Sequence, residues 1–154
     1  METKVIYPGS FDPFTNGHLD IVLKASKIFD RVLIVVADNP YKRRHYTAQW
    51  MRKHINEVFE NRQLSNCMAY SCDGLVADFA KSVGAKYIIR GLRNSVDFEY
   101  EESLANAYKL IYPELDYIYL RAESVGISSS MVRELIKYGK DVSEFVPIEI
   151  AKQF

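Results

Sequence analysis

Short runs of apolar residues alternate along the chain with longer stretches in which apolar residues recur every three or four positions. The short runs predict β-strands and occupy residues 5–7, 32–37, 66–71, 87–90 and 117–120. The run at 32–37 is apolar throughout and rich in valine, a pattern typical of a strand covered on both faces. The sequence therefore predicts five strands, at least one of them fully buried.

The stretches between these strands predict helices, because their apolar residues share one helical face. The first helix is predicted at residues 19–29. Thr47 is a suitable N-cap for the second helix, and Gly84 is a suitable residue to end the third. The third and later helices are predicted at residues 75–83, at 96–111, from Ser128 or Ser129 to about Gly139, and after Pro147.

The regular alternation of strand and helix indicates an α/β fold with a single doubly wound parallel sheet of five strands. No repeat, linker or low-complexity segment divides the chain, so residues 1–154 are interpreted as one domain. In such sheets ligands bind beyond the carboxyl ends of the strands, where the strand order reverses. The polar motifs of this chain follow predicted strands, and we expect them to gather at that rim.

The most informative motif joins the first strand to the first helix. It runs from Tyr7 to His18 and contains two glycines, hydroxyl groups and a histidine. Free N–H groups and the positive helix end make such a junction an anion site. Gly9 and Gly17 are predicted to permit close backbone approach or unusual dihedrals, although turn formation alone also explains them. Neither the dinucleotide glycine fingerprint nor the Walker A motif is present, so a nucleotide must be held in another way.

Candidate charged donors stand at three of these strand ends. The His18 imidazole suits a phosphoryl oxygen that gains charge in a transition state, while a helix cap or a packing role is the alternative. Lys42 is expected to reach the rim, although the run 42–44 also suits a solvated surface. Arg90 closes an apolar strand, where a guanidinium needs an anionic partner, and Arg93 follows it. That partner is either a ligand or one of Asp97, Glu99 and Glu101.

Two further clusters lie at predicted helix starts. The acidic segment 97–102 suits a first turn by its charge, or supplies a carboxylate to a sugar or an arginine. Ser128, Ser129 and Ser130 include at least one N-cap, and with exposed N–H groups they also suit a triphosphate. The backbone of residues 125–127 is a candidate edge for a nucleobase. No serine–histidine–acid triad and no cluster of metal ligands is evident in the sequence.

Composition excludes several classes of function. The 20 basic and 20 acidic residues balance, which gives no general attraction to nucleic acid or to a membrane surface. Cys67 and Cys72 are too few for a disulfide scaffold, and their odd spacing on one strand predicts reduced thiols that face opposite ways. The sequence begins without a signal-peptide pattern, and no apolar run is long enough to span a bilayer. These features predict a cytoplasmic protein.

Taken together, these residues resemble the bacterial pantetheine-phosphate adenylyltransferases over nearly the full length of the chain. The first and last matching blocks occur across a wider nucleotidyltransferase superfamily, whereas the arginine block and the acidic–aromatic block are more specific to this family. The chain departs from the family pattern at residues 46–51 and 124–126. The four matching blocks are residues 7–13 with 15–18, 89–93, 97–101 and 127–130.

The resemblance implies a Rossmann-like nucleotidyltransferase fold and the reaction of ATP with 4′-phosphopantetheine to give dephospho-CoA and pyrophosphate, the penultimate step of coenzyme A synthesis. It implies that His18 and Lys42 are catalytic, with His18 stabilising the transition state. The implied phosphopantetheine-binding residues are Ser10, Lys42, Val76 and Arg90. The implied ATP-binding residues are Ser10, Phe11, His18, Gly91, Leu92, Arg93, Glu101, Ser124, Val125, Gly126, Ile127, Ser128, Ser129 and Ser130.

Such a reaction needs no general base, because a phosphate monoester with a second pKa of about 6 is largely dianionic near neutral pH. The protein has to align two anions and neutralise charge on the α-phosphoryl group. Mg²⁺ is expected to arrive bound to ATP and to keep mostly water ligands. The resemblance further implies a homohexamer, for which 11 tyrosines and 8 phenylalanines leave enough aromatic side chains.

Two alternatives stay open at this point. A nicotinamide-nucleotide adenylyltransferase or a glycerol-phosphate cytidylyltransferase shares the superfamily motifs but usually lacks the arginine and acidic–aromatic blocks. A non-catalytic nucleotide-binding module on the same fold is the second alternative, since a fold does not determine a function. The presence of both His18 and Lys42 argues against a decayed site.

Overall fold

The computed structural model describes residues 1–38, 40, 43–92, 105–123 and 126–154. Its framework is a five-stranded sheet in which each pairing of neighbouring strands is parallel. The positions of the strands confirm the predictions made from the apolar runs, with small differences at their ends. The strands are β1 (Lys4–Gly9), β2 (Arg31–Ala37), β3 (Cys67–Cys72), β4 (Tyr87–Leu92) and β5 (Asp116–Arg121).

Helices connect these strands and follow the last of them. The predicted start of the fourth helix, near residue 96, lies outside the described residues, and its predicted end at residue 111 is confirmed. Within the described ranges, no helix combines the length and the apolar character needed to cross a membrane. The helices are α1 (Asn16–Ser26), α2 (Ala48–Asn61), α3 (Val76–Val83), α4 (described over 105–111), α5 (Ser129–Lys137) and α6 (Ile148–Ala151).

The order of strands in the sheet is β3-β2-β1-β4-β5. The chain builds outward from β1 through β2 and β3, and then crosses back to add β4 and β5 on the other side. This is the doubly wound topology that the sequence predicted. Because the order reverses between β1 and β4, the connections after these two strands diverge and leave a crevice at the carboxyl edge of the sheet.

Backbone pairing between β1 and β4 is short, which extends that crevice into the sheet. β1 pairs with β2 at six positions, but with β4 at only two, Val5 and Ile6. Further along β1, Pro8 has no N–H to give to a ladder. Its carbonyl instead accepts a hydrogen bond from Nη1 of Arg90. A cationic side chain therefore bridges the gap between the two central strands.

Apolar side chains pack on both faces of the sheet. Val5 and Tyr7 belong to a cluster that includes residues of α1, α2, α5 and α6, whereas Ile6 belongs to a cluster on the α3 and α4 face. Cys67 lies in the first cluster and Cys72 packs against the second, which confirms that the two thiols face opposite ways; both are free. Burial raises the pKa of Cys67 to about 11, so this thiol stays protonated near neutral pH.

The first helix begins at Asn16 and not at Leu19 as predicted. Thr15 is its N-cap, because the Thr15 hydroxyl accepts the N–H of His18 while the His18 ring accepts the N–H of Thr15. This reciprocal capping box gives partners to two N–H groups at a helix start that would otherwise lack them. Since a histidine takes the place usually held by Glu or Gln, the sequence pattern did not reveal this start.

A buried carboxylate on the short helix α6 accepts hydrogen bonds from the end of α2. Glu149 is 7% exposed and accepts hydrogen bonds from Asn61 at 2.9 Å and from Arg62 at 3.0 Å. Burial raises the pKa of Glu149, but hydrogen bonds from Asn61, from the backbone and from Arg62, together with the Arg62 charge, outweigh burial and hold the pKa below its ordinary value.

We expect Glu149→Gln to lower thermal stability in a pH-dependent way. Because the pKa of Glu149 is lower in the folded chain, its carboxylate stabilises the fold above the unfolded pKa of 4.5 and loses this effect as the pH falls through the folded value. The loss of about 1 kcal/mol at pH 7 corresponds to roughly 2–4 °C in Tm. Thermal unfolding from pH 3 to pH 8 tests this, with exposed Glu114→Gln as control. A Tm difference that persists unchanged at pH 3 contradicts the prediction.

Candidate active site

A cavity of about 400 Å³ opens at the carboxyl edge of the sheet, where the strand order reverses. Its wall is formed by the end of β1, the start of α1, the end of β4 and the first turn of α5. No carboxylate is among the described residues that line it. The cavity is therefore a local cationic and hydroxyl-rich surface in a chain of zero net charge, which suits an anion. The polar side chains of the described lining are Tyr7, Ser10, Thr15, His18, Arg90, Ser128, Ser129, Ser130 and Arg133.

The loop after β1 takes its shape from Phe11. This residue is 2% exposed and has a φ of 47°, which is uncommon for a bulky side chain. Its ring covers Gly9, where a Cβ atom would lie 2.9 Å from the ring Cζ. The close approach predicted at Gly9 is thus made by the Phe11 ring. Ser10, between the two, is exposed and lines the cavity.

The His18 imidazole is fixed by both hydrogen bonding and packing. Nδ1 accepts the N–H of Thr15 at 2.9 Å. Because a backbone N–H only donates, the proton of the neutral ring is on Nε2. The rings of Phe11 and Phe14 lie against the imidazole, with centroids 4.9 Å and 5.6 Å away. The predicted capping role of this histidine is confirmed. Because Nδ1 is the acceptor in the cap, Nε2 is the donor nitrogen of the ring, and the ring lines the cavity.

Strand β4 brings Arg90 and Gly91 to the cavity. The Arg90 guanidinium bonds to the Pro8 carbonyl, so it is anchored at the end of β1. Gly91 lies against Ile21 of α1, where a Cβ atom would meet the Ile21 Cγ1 at 3.2 Å. A glycine therefore lets α1 and β4 pack closely at this wall. The acidic residues considered as partners of Arg90 lie outside the described residues.

The three serines at the start of α5 have different partners. The Ser128 hydroxyl accepts the N–H of Met131 at 3.1 Å and is the N-cap of the helix, which confirms the prediction that at least one of these serines is a cap. The Ser129 hydroxyl donates to the carbonyl of Pro13 at 2.7 Å and ties α5 to the loop after β1. Ser130 is exposed. All three line the cavity beside the helix N-terminus, which attracts anions through its free N–H groups.

Arg133 lines the same cavity but was not predicted. Its Nη1 donates to the Asp12 carbonyl at 2.7 Å, and its Nη2 lies 3.4 Å from the Ser130 hydroxyl. Residues three apart on a helix are neighbours, so the spacing from Ser130 is the sequence signal that identifies Arg133. Thr15 is a second lining residue that was not predicted, and its capping-box spacing to His18 is the corresponding signal.

Arg44, in the basic segment after β2, turns its side chain inward. Lys42, the residue predicted to reach the rim, lies outside the described residues, and Arg43 is exposed. The Arg44 side chain is 10% exposed and donates to the carbonyls of Ala37 at 3.1 Å and Tyr46 at 2.8 Å. The segment is therefore not a uniformly solvated surface, since Arg44 closes the base of the loop.

The remaining predicted site residues fall in several places. Ile127 lines the cavity with the serines. Val76 borders a second cavity of about 420 Å³ at the ends of β2 and β3. Leu92 and Gly126 are described, and neither is among the lining residues of the first cavity. Outside the described residues lie Lys42, Arg93, Glu101, Ser124 and Val125.

Sequence comparison places the chain among known enzymes. Residues 6–135 match the family described as cytidylyltransferase-like. A protein of Cytophaga hutchinsonii named phosphopantetheine adenylyltransferase is 41% identical over 152 residues, which are 97% of this chain and 100% of the relative. Proteins of the same name from Finegoldia magna and Nautilia profundicola are 42% and 44% identical, over 98% and 99% of this chain and 93% and 99% of the relatives.

Structural comparison agrees at the level of the fold. A solved structure from Vibrio parahaemolyticus, provisionally named a nicotinate-nucleotide adenylyltransferase, has a TM-score of 0.75 to this chain. The match covers 99% of this chain and 98% of the other. The two sequences are only 18% identical, so the similarity shows a shared Rossmann-like fold and nothing about substrate.

Proposed function

The chain belongs to the cytidylyltransferase-like family and, within it, to the phosphopantetheine adenylyltransferases, and from this premise we propose that it transfers the adenylyl group of ATP to 4′-phosphopantetheine. A phosphate oxygen of phosphopantetheine attacks the α-phosphorus of ATP, and the bond from that phosphorus to the bridging oxygen of the β-phosphate breaks. The products are dephospho-CoA and pyrophosphate. The reaction belongs to coenzyme A biosynthesis.

One observation carries this proposal for the site. The cavity at the strand switch point is lined, in its described part, by two arginines, a histidine and several hydroxyls, with no carboxylate. Two phosphorylated reactants repel each other, and a surface of this composition offsets the repulsion. The proposed reaction needs no general base, because a phosphate monoester with a second pKa of about 6 is already largely dianionic at neutral pH.

We assign the phosphopantetheine phosphate to Arg90, with Ser10 and Lys42. The Arg90 guanidinium lines the cavity and is anchored to the Pro8 carbonyl, which fixes the position of this cation beside the crevice. Val76, in the second cavity at the ends of β2 and β3, is assigned to the pantetheine arm. The apolar part of that cavity suits a flexible chain of low charge.

We assign stabilisation of the transition state to His18 and Lys42. The His18 ring is held by the Thr15 N–H and by two aromatic rings, so its Nε2–H is a donor of fixed direction. A donor that is already oriented needs no reorganisation when charge develops on the α-phosphoryl oxygens. The attack is in line, with the leaving pyrophosphate opposite the incoming oxygen.

We assign ATP to the α5 side of the cavity. The first turn of α5, with Ser128, Ser129 and Ser130, suits the triphosphate. Mg²⁺ is proposed to enter as MgATP, and the residues that the structure describes contain no group of three or more side chains suited to hold a metal. The other ATP-binding residues that we propose are Ser10, Phe11, His18, Gly91, Leu92, Arg93, Glu101 and residues 124–127.

We add Arg133 to the proposed ATP-binding residues. We expect Arg133→Gln to weaken MgATP binding by roughly tenfold, the effect of losing one charge-assisted hydrogen bond. Isothermal titration with MgATP measures this change. Lys137→Gln, one turn further along α5 and exposed, is the control. Unchanged MgATP affinity in Arg133→Gln, with normal folding, contradicts a role of this guanidinium at the triphosphate.

A pyrophosphate-release assay tests the proposed function. Purified protein should release pyrophosphate from MgATP with phosphopantetheine, but not from MgATP with nicotinamide mononucleotide or from MgCTP with glycerol phosphate. Release with one of the latter acceptors alone assigns the chain to another activity of the superfamily, and tight MgATP binding without release under any acceptor indicates a binding module. The proposed homohexamer is measured by light scattering, and the proposed cytoplasmic location by cell fractionation.

A further inference from the structure

We infer that Asp12 is a positioning residue that holds the end of the loop after β2, at His45 and Tyr46, against the loop after β1. This loop joins β2 to α2 and contains Lys42 in its sequence. The inference rests on the proposed function in one respect, because the expected effect on phosphopantetheine depends on the assignment of Lys42 to that substrate.

The Asp12 carboxylate receives two backbone N–H groups from the end of this loop. Asp12 is 6% exposed. Its Oδ2 accepts the N–H of His45 at 2.9 Å, and its Oδ1 accepts the N–H of Tyr46 at 2.9 Å. Asp12 precedes these residues by more than 30 positions, so the pair of bonds joins two loops that are far apart in sequence.

The same end of the loop is bound by Arg44. Its hydrogen bonds to the carbonyls of Ala37 and Tyr46 tie the last residue of β2 to the segment that precedes α2. Arg44 Nη2 also lies 4.0 Å from Asp12 Oδ1, so a cation faces the buried carboxylate. Asp12 and Arg44 therefore fix the point at which the basic loop returns to the sheet.

The backbone around Asp12 is held from the opposite direction by α5. The Asp12 carbonyl accepts from Arg133, and the neighbouring Pro13 carbonyl accepts from Ser129. Both donors line the cavity. Asp12 thus stands between the proposed triphosphate side and the basic loop. It joins the backbone that α5 holds to the end of the basic loop at His45 and Tyr46.

Asp12→Asn removes one acceptor while both N–H donors remain. An amide has a single acceptor oxygen, and its NH₂ group meets an N–H donor, so the carboxylate's pair of bonds is not reproduced. We expect the KM for phosphopantetheine to rise roughly tenfold or more, as for loss of a hydrogen bond to a charged group, while the KM for MgATP changes less than threefold. A merely structural role lowers the folded fraction and moves neither KM.

Asp30→Asn is a matched control. Asp30 also accepts two hydrogen bonds across loops, from the N–H of Thr3 at 2.8 Å and from its hydroxyl at 3.0 Å. It precedes β2 and therefore lies at the amino edge of the sheet, opposite the cavity. Asp30→Asn should leave both KM values at those of the wild-type protein.

The single tryptophan gives a readout that is independent of catalysis. Trp50 stacks on Tyr46, with ring centroids 5.3 Å apart, and the Tyr46 N–H is one of the two donors to Asp12. Release of this segment in Asp12→Asn should change Trp50 emission at temperatures well below unfolding. Asp30→Asn should not change it.

Arg44→Gln provides a second test if Asp12→Asn does not fold. It loosens the same end of the loop from the other side and should raise the KM for phosphopantetheine more than that for MgATP. Unchanged KM values in a folded Asp12→Asn, or equal increases in both, overturn the inference. Absence of activity with phosphopantetheine in the wild-type protein overturns the proposed function instead, and the Trp50 comparison then still decides whether Asp12 holds the loop.

Discussion

His18→Ala is expected to lower kcat by roughly 10²–10³-fold, the loss found when one oriented donor to a transition state is removed. The affinity for MgATP should change far less, because the interaction strengthens only as charge develops on the α-phosphoryl group. The Nε2–H of His18 is held in one direction by the Thr15 N–H on the opposite ring nitrogen and by packing against Phe11 and Phe14. Alanine offers no replacement donor.

The same substitution also removes a helix cap, and the two effects have to be separated. Without the His18 ring, the Thr15 N–H loses its acceptor, which should lower stability by about 1 kcal/mol. Rates should therefore be normalised to the folded fraction measured by circular dichroism. His54→Ala is a useful control, because His54 is a buried histidine on α2 whose Nδ1 also bonds three residues along its helix, to Glu57 at 3.0 Å.

The control should lose stability but retain its turnover per folded molecule. If His18→Ala shows the same behaviour, His18 is only a capping and packing residue, and the assignment of the transition state to this ring is wrong. A large fall in kcat with a near-normal MgATP affinity supports it.

Arg90→Ala should raise the KM for phosphopantetheine by roughly a hundredfold, the effect of truncating one partner of a hydrogen-bonded charge pair. Arg90 lies on β4, and its guanidinium is held at the end of β1 by the Pro8 carbonyl, so the position of this cation beside the crevice is fixed. Arg90→Lys should recover only part of the loss, since an ammonium keeps the charge but cannot bond both the carbonyl and a phosphate in a planar fork.

Steady-state kinetics with each substrate varied in turn test this prediction. Arg31→Ala is the matched control, because Arg31 is an exposed arginine at the other end of a strand, on the amino edge of the sheet. It should leave both KM values unchanged. An Arg90→Ala protein whose KM rises only for MgATP reverses the assignment of the two substrates to the two sides of the cavity.

The sheet was predictable because its strands and helix ends are marked by residues close together in sequence. Continuous apolar runs marked β2 and β4, turn residues such as Gly84 marked helix ends, and the alternation of elements determined the parallel topology. That topology alone brings three groups to one cavity, namely the loop after β1, Arg90 and the α5 serines. These parts of the site are therefore predictable from the sequence.

Other parts of the site depend on contacts between residues far apart in sequence. Nothing near Asp12 indicates that it receives the N–H groups of His45 and Tyr46, since the bonds exist only once both loops are folded. Phe11 gives no sequence signal for its positive φ, which is tolerated because its ring is buried. Arg44 resembled any surface cation in sequence, and only the structure shows that it turns inward.

The short backbone pairing between β1 and β4 has a consequence for the stability of the sheet. The β3-β2-β1 half and the β4-β5 half of the sheet meet at a seam with two paired positions, and further along the strands Arg90 spans it to reach Pro8. An anion bound both by Arg90 and by groups at the end of β1 would link the two halves of the sheet. Because a ligand that binds the folded chain stabilises it by mass action, we expect such an anion to raise the Tm of the protein.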